Sequence, residues 1–239
     1  MEKEYTDNDL IPVRMGEKFG YINLNGEVVI PAQFDGGRLF INGLALVEIN
    51  EKYGFINLLG DIVIPCKFHF VHDSFSRSGY CVVSIAEGRQ GLIDRNGVFV
   101  IPPTYQYLHH FGNGVCQTEN ESGLSGLVSP NGVIVKFQFN DVYSSGNAYI
   151  LRLDGKYGLA NNNGIVVYPK YDKISGYLTD DIFEVCLDGK FGLIDINGKI
   201  LAPVIYEEIF QPYTNQWARS YLNGHKVIFN KKGEQIWKE

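Results

Sequence analysis

The sequence has no apolar run approaching the ~18 residues that a bilayer-spanning helix requires. It has no export signal of the usual kind, because "MEKEYTDNDL" is polar and acidic with no apolar segment behind a basic start, so the expected location is cytoplasmic. Cysteine is sparse and unpatterned. Cys66, Cys81, Cys116 and Cys186 show no CxxC spacing, which argues against a zinc cluster, and three of them sit in apolar runs as buried free thiols would. Basic clusters with interleaved aromatics are missing, and the net charge is −6. Nucleic acid and anionic membrane are therefore not expected partners. No segment shows helical periodicity over a useful length.

Repetition is what the chain has in abundance. "KFGYINLNGEVVIP" from Lys18 and "KYGFINLLGDIVIP" from Lys52 are near copies. An anchor glycine recurs at Gly20, Gly54, Gly91, Gly126, Gly158 and Gly192, and Val227 takes its place in a seventh copy. A second glycine follows each anchor at Gly26, Gly60, Gly97, Gly132, Gly164, Gly198 and Gly233. Proline comes next at 31, 65, 102, 169 and 203, then an aromatic at Phe34, Phe68, Tyr105, Phe139, Tyr171 and Tyr206.

Each copy reads as short strands punctuated by turns. "FGYIN" and "YGFIN" are rich in aromatic and β-branched residues. The second glycine sits in tight turns that need positive φ, and proline, lacking an N–H, is expected to end the return strand. Asp154-Gly155 and Asp188-Gly189 are two-residue hairpin signals joining the anchor strand to the strand before it. A weaker fourth segment follows the proline. The expectation is one all-β domain, 1–239, of seven β-meander repeats of about 34 residues, because one such unit cannot bury its own faces. The last unit stops after its third strand, and the N-terminus, with Tyr5 at the repeat-aromatic position, lies where the missing segment would be. This favours a closed seven-bladed β-propeller, with an open β-repeat array as the alternative.

"KFGYINLNGEVVIP" and "KFGLIDINGKILAP" resemble the bacterial WG repeat, whose pattern runs K-W-G, a turn glycine, a proline and an aromatic. The hallmark Trp is replaced by Phe19, Tyr53, Gln90, Ser125, Tyr157, Phe191 and Lys226. The resemblance implies a non-catalytic binding role and supplies no catalytic residues.

The residues offer little chemistry. "GLSGL" around Ser125 is not a nucleophile elbow, because Ser125 fills the hallmark slot. Arg38, His72 and His109 occupy equivalent places in successive copies, yet neither cysteine nor carboxylate spacing supports a metal. The chain is expected to be neither an enzyme nor a cofactor or metal protein.

The segments between each proline and the next copy vary freely, and in repeat proteins such segments carry binding. They hold the candidate partner-binding residues Tyr107, His109, His110, Asp180, Asp181, Glu207, Glu208, Phe210, Tyr213 and Trp217. Aromatics flanked by acids suit a basic protein partner. The sharpest expectation is a monomeric immunity protein that neutralises a basic toxin, such as a nuclease domain, by covering its active site. A carbohydrate-binding propeller and a general scaffold are the alternatives.

Overall fold

A computed structural model describes residues 6–72, 75, 78–177, 179–210 and 217–239. They form strands and turns, with no helix among them. Seven antiparallel sheets follow one another along the chain. The first has β1 (Leu10–Met15), β2 (Lys18–Asn23) and β3 (Val28–Phe34). The second has β4 (Gly36–Ile41), β5 (Leu44–Ile49), β6 (Lys52–Ile56) and β7 (Ile62–Phe68). In the third are β8 (Phe70–Val71), β9 (Cys81–Ala86), β10 (Arg89–Ile93) and β11 (Phe99–Tyr105). The fourth holds β12 (His109–His110), β13 (Cys116–Glu119), β14 (Ser125–Ser129) and β15 (Gly132–Phe139). The fifth comprises β16 (Asp141–Ser145), β17 (Ala148–Leu153), β18 (Lys156–Asn161) and β19 (Gly164–Tyr171). In the sixth lie β20 (Lys173–Tyr177), β21 (Thr179–Leu187), β22 (Lys190–Asp195) and β23 (Ile200–Tyr206). The seventh ends the chain with β24 (Ile209–Phe210), β25 (Trp217–Leu222), β26 (His225–Asn230) and β27 (Gln235–Lys238). The strands of each sheet pair in sequence order, as in a propeller blade.

This grouping corrects the expected one. The segment after each proline is the first strand of the following sheet, not the last of its own. The seventh sheet is therefore complete from residues near the C-terminus, and the first sheet is the three-stranded one among the described residues. The closure expected from Tyr5 lies outside the described residues.

The chain forms two compact units, Met1–Thr118 with Ser129–Gly132, and Glu119–Val128 with Val133–Glu239. The division passes through the fourth sheet. In the first unit, Tyr21, Ile30 and Phe34 of the first sheet pack on Phe40, Val47 and Ile56 of the second. The opposite face of the second sheet sends Leu46, Phe55, Ile64 and Phe68 against Val83 and Ile93 of the third. The second unit repeats this, with Ile150 and Leu159 packed on Phe183 and Val185, and Leu193 and Ala202 packed on Val227 and Phe229. Both faces of an internal sheet are covered, so "LALV" and "IFEV" are buried at consecutive positions rather than alternately.

The recurring residues have particular causes. The prolines lie inside the last strands of their sheets and do not end them, because those strands bulge there. Phe19 pairs with Phe34 and Tyr21 with Ile30, so Gly20 alone faces three residues. The same bulge recurs opposite Gly54, Gly91, Gly158 and Gly192. It presses backbone onto the anchor: a Cβ at Gly20, Gly54 or Gly158 would lie 2.5 Å from the carbonyl oxygen of Ile30, Ile64 or Val167. The seventh sheet pairs Val227 with Lys238 and Ile228 with Trp237 without that bulge, which is why a valine fits there, fully buried.

Turn chemistry splits in two. Asp154-Gly155 and Asp188-Gly189 are two-residue hairpins with positive φ at both positions, as expected. The turns at the second glycine are longer. Asn23 Oδ1 accepts from Asn25 N and Glu27 N at 3.0 Å, and positive φ there falls only on Gly26. Asn57, Asp94, Asp195 and Asn230 make the same pair of bonds.

Candidate functional site

The first strands bring the variable side chains to the surface. Four residues past each repeat aromatic stand Arg38, His72 and His109 in the first unit, and Tyr143, Ser175 and Phe210 in the second. Two residues past it stand Gly36, Phe70 and Tyr107, then Asp141, Lys173 and Glu208. Because strand side chains alternate, these two sets point the same way and the residue between them points inward.

In the third and fourth sheets these positions form a ladder of rings. Phe70 lies 5.6 Å from the His72 imidazole, and His72 lies 6.4 Å from the Tyr107 ring. The Tyr107 hydroxyl approaches His109 Nδ1 at 3.5 Å, and His109 stacks edge-on against Phe111 at 5.2 Å. Phe70 is 49% exposed and Tyr107 45%. The segment leading into β12 is held in place: Leu108 N donates to Gln90 Oε1 at 2.9 Å, and Thr118 Oγ1 donates to the Tyr107 carbonyl at 2.5 Å. Gln90, in a hallmark slot that has lost its aromatic, thus pins the ladder.

His110 faces the other way. It is half-buried against the Tyr80 ring, and its Nε2 accepts from Gly114 N at 2.9 Å. Burial, and then the neighbouring His109, hold its pKa below 6.5, so the ring stays neutral and able to accept. His110 is a fold residue rather than a surface one.

In the second unit, Asp180, Asp181, Glu207 and Glu208 are all exposed. Asp181 accepts from Asn147 Nδ2 at 2.9 Å. Glu208 has its carbonyl held by Ser220 Oγ. No hydrogen bond among the described residues joins the aspartate pair to the glutamate pair. Phe210 is 49% exposed, with the Arg219 guanidinium 5.0 Å over its ring, and Trp217, 37% exposed, opens β25. Tyr213 lies outside the described residues.

Ser125 is buried at 1% exposure. The four cysteines are free thiols, two buried and two half-buried, and burial pushes the Cys116 thiol up to about 12. No cluster of three or more metal-ligating side chains occurs among the described residues.

Phe70 and Phe111 were missed from sequence. The signal for Phe70 was available, since it stands at the same step of the repeat as Tyr107.

The WG containing repeat matches residues 19–53, 53–87, 91–121, 157–191 and 191–224, which is most of the chain. The chain belongs to the WG-repeat family. The copies around Ser125 and Lys226, without a hallmark aromatic, fall outside the matches. The structure gives that aromatic a role in this WG-repeat protein: Phe19, Tyr53, Tyr157 and Phe191 each pair across strands with the repeat aromatic, Phe34, Phe68, Tyr171 and Tyr206.

No curated protein matches the chain. Among solved structures it is similar to a crystal structure of the eukaryotic initiation factor, at 11% identity over 97% of this chain and 84% of that one, with a TM-score of 0.44. It is similar to Hsv2p of Kluyveromyces lactis at 9% identity, covering 99% and 95% of the chains, with a TM-score of 0.41. BamB from Moraxella catarrhalis is 11% identical over 98% and 86%, with a TM-score of 0.32.

Proposed function

We propose that this WG-repeat chain is a non-catalytic protein-binding domain, and that it acts as an immunity protein that neutralises a basic toxin, such as a nuclease domain, by covering its active site. A propeller-like β-repeat fold suits a protein-interaction scaffold. The observation that carries the binding reading is the ladder Phe70–His72–Tyr107–His109, exposed along its length and ending on the half-buried Phe111. Aromatic rings on a pinned strand give contact area with few rotamers to freeze, the property of binding hot spots. The basic partner is inferred from the net charge of −6 and the exposed Asp180, Asp181, Glu207 and Glu208, which would steer a cationic protein to the surface.

The test is affinity capture from the native cell, followed by two variants. Phe70→Ala with Tyr107→Ala should raise the dissociation rate of the captured partner. Charge reversal at the four carboxylates should lower its association rate and flatten the salt dependence. Unchanged rates in both variants would remove the reading. The same exposed rings also favour a second reading, stacking on sugar rings, and specific retention on a glycan array would put it first.

A further inference from the structure

In five of the six four-stranded sheets, the residue three past the repeat aromatic is an inward aliphatic. Val71, Leu108, Val142 and Ile174 are buried there, and Ile209 is half-buried. The second sheet has Gly37 instead, preceded by Gly36. Val71 shares a core with Phe55, Ile174 with Leu159 and Ile209 with Leu193, each the residue after an anchor glycine, and Tyr21 holds that place here. The Tyr21 ring takes up part of the space that Gly37 leaves. Its hydroxyl donates to the Arg38 carbonyl at 2.9 Å, and a Cβ on Gly37 would meet it at 3.0 Å.

The rest of the space remains as a cavity of about 200 Å³, walled by Phe19 and Tyr53, floored by Gly36 and Gly37, and bearing Arg38 and Glu48. Phe19 and Tyr53 are hallmark residues of successive repeats. The strand bulges immediately beyond Gly37, since Gly37 pairs with Val47 but Phe40 pairs with Ala45, and Arg38 sits on that bulge. Arg38 is exposed, and its guanidinium makes no hydrogen bond or ion pair among the described residues. The Glu48 carboxylate, half-buried above Gly36, likewise has no partner among them.

We propose that this pocket binds one apolar residue with a free α-carboxylate: the side chain enters between Phe19 and Tyr53, and the carboxylate pairs with Arg38. The volume suits this, because a dry cavity of ~150 Å³ takes up one benzene ring, whereas drug-sized ligands need ~300 Å³ or more. A guanidinium already fixed at its backbone by Tyr21 meets a carboxylate in bidentate fashion. The Glu48 carboxylate then faces the nitrogen side of the bound residue, an amide N–H at a chain end or an ammonium in a free amino acid. The pocket shares no residue with the ladder, so this proposal and the protein-binding reading stand or fall separately.

The experiment titrates N-acetyl-L-phenylalanine into the 15N-labelled full chain. Saturable shifts are expected at Gly36, Gly37, Arg38, Val47, Glu48 and Tyr53. The matching amide, N-acetyl-L-phenylalaninamide, should bind about tenfold more weakly, since it lacks the charge-assisted pair. Arg38→Gln, a surface change that leaves folding intact, should bring the acid down to the affinity of the amide. Tyr21→Leu with Gly37→Ile, which rebuilds the pair present as Leu159 and Ile174, should close the pocket and abolish both. L-phenylalanine binding tighter than its acetyl form identifies a free amino acid as the ligand, and the reverse order a chain end. Equal binding of acid and amide, retained binding in the rebuilt pair, or no shifts at all would overturn the proposal.

Discussion

Gly158 and its five counterparts fill one slot in six sheets with one residue, whereas the slot four past the repeat aromatic holds Arg38, His72, His109, Tyr143, Ser175 and Phe210. The first slot is set by a carbonyl oxygen that the bulged neighbour pushes to 2.5–2.8 Å from any Cβ. No side chain satisfies it. The second slot faces outward from a first strand, and any side chain satisfies that. The difference divides the molecule into positions that hold the fold and positions left free to recognise something. Val227 belongs to the rule rather than against it, since its sheet lacks the bulge.

The largest test of that division is Gly158→Ala. The added methyl meets the Val167 carbonyl oxygen and the Pro169 nitrogen, both backbone, so the edge strand must shift. A destabilisation of about 3 kcal/mol or more is expected by denaturant unfolding, at the upper end for overpacking because nothing flexible can yield. Val227→Ala should cost about 2 kcal/mol, through lost burial alone. A Gly158→Ala variant as stable as wild type would break the comparison.

His110 sharpens it from the other side, as a first-strand residue that serves the fold. Its folded pKa lies below 6.5, so the unfolded chain binds the proton more readily. The native state is unaffected above 6.5 and loses stability as the pH falls below it, when protonation also removes the acceptor for Gly114 N. His110→Gln keeps an acceptor and does not titrate. Its melting temperature should fall less steeply than that of wild type between neutral pH and mild acid. Parallel curves would assign the acid sensitivity elsewhere.

The ladder residues should behave in the opposite way. Phe70→Ala and Tyr107→Ala remove exposed rings, and each is expected to change stability by less than ~0.5 kcal/mol. A larger loss would place them with the anchor glycines.

How much of this was readable in advance follows the same line. The anchor, the turn glycines and the two-residue hairpins at Asp154 and Asp188 were visible, because local chain geometry leaves a local mark. The reason for the anchor was not, since the close carbonyl belongs to a residue nine or ten positions on and depends on a bulge. The first strands were assigned to the wrong sheet for a similar reason: pairing partners lie beyond the next turn, and proline looked like a stop. The equivalence of Arg38, His72 and His109 was legible from register alone, and of the three the structure links His72 and His109, through Tyr107. Gly37 was not singled out, although "FDGGR" beside "FHFVH" and "YQYLH" shows glycine in a slot that elsewhere holds an aliphatic residue.

The smallest expected effect concerns a clasp that recurs in part. The residue after the repeat aromatic reaches to the turn of the following sheet. Asp35 Oδ2 accepts from Asn50 N at 2.8 Å, Asp172 Oδ2 from Asp188 N at 2.7 Å, and Asn140 Oδ1 from Asp154 N at 2.7 Å. The two aspartates add a lysine, Lys18 or Lys156, on their other oxygen, and Asn140 does not. The pairs are solvent-exposed, so the ion pair itself should contribute little, and the bond to the turn should be the working part. Asn140 is in effect an Asp172→Asn experiment already present in the same unit. Asp172→Asn is therefore expected to melt close to wild type at neutral pH, and Asp172→Ala, which frees Asp188 N, to melt lower. Acid separates them further. The bond to Lys156, then that to Asp188 N, hold the Asp172 pKa below 3.8, so its contribution is present above 3.8 and is lost as the pH falls through the folded value. Asp172→Asn should lose nothing of that kind in the same range. If Asp172→Asn instead melts as low as Asp172→Ala at neutral pH, the lysine and not the turn is what the clasp depends on, and Asn140 requires another explanation.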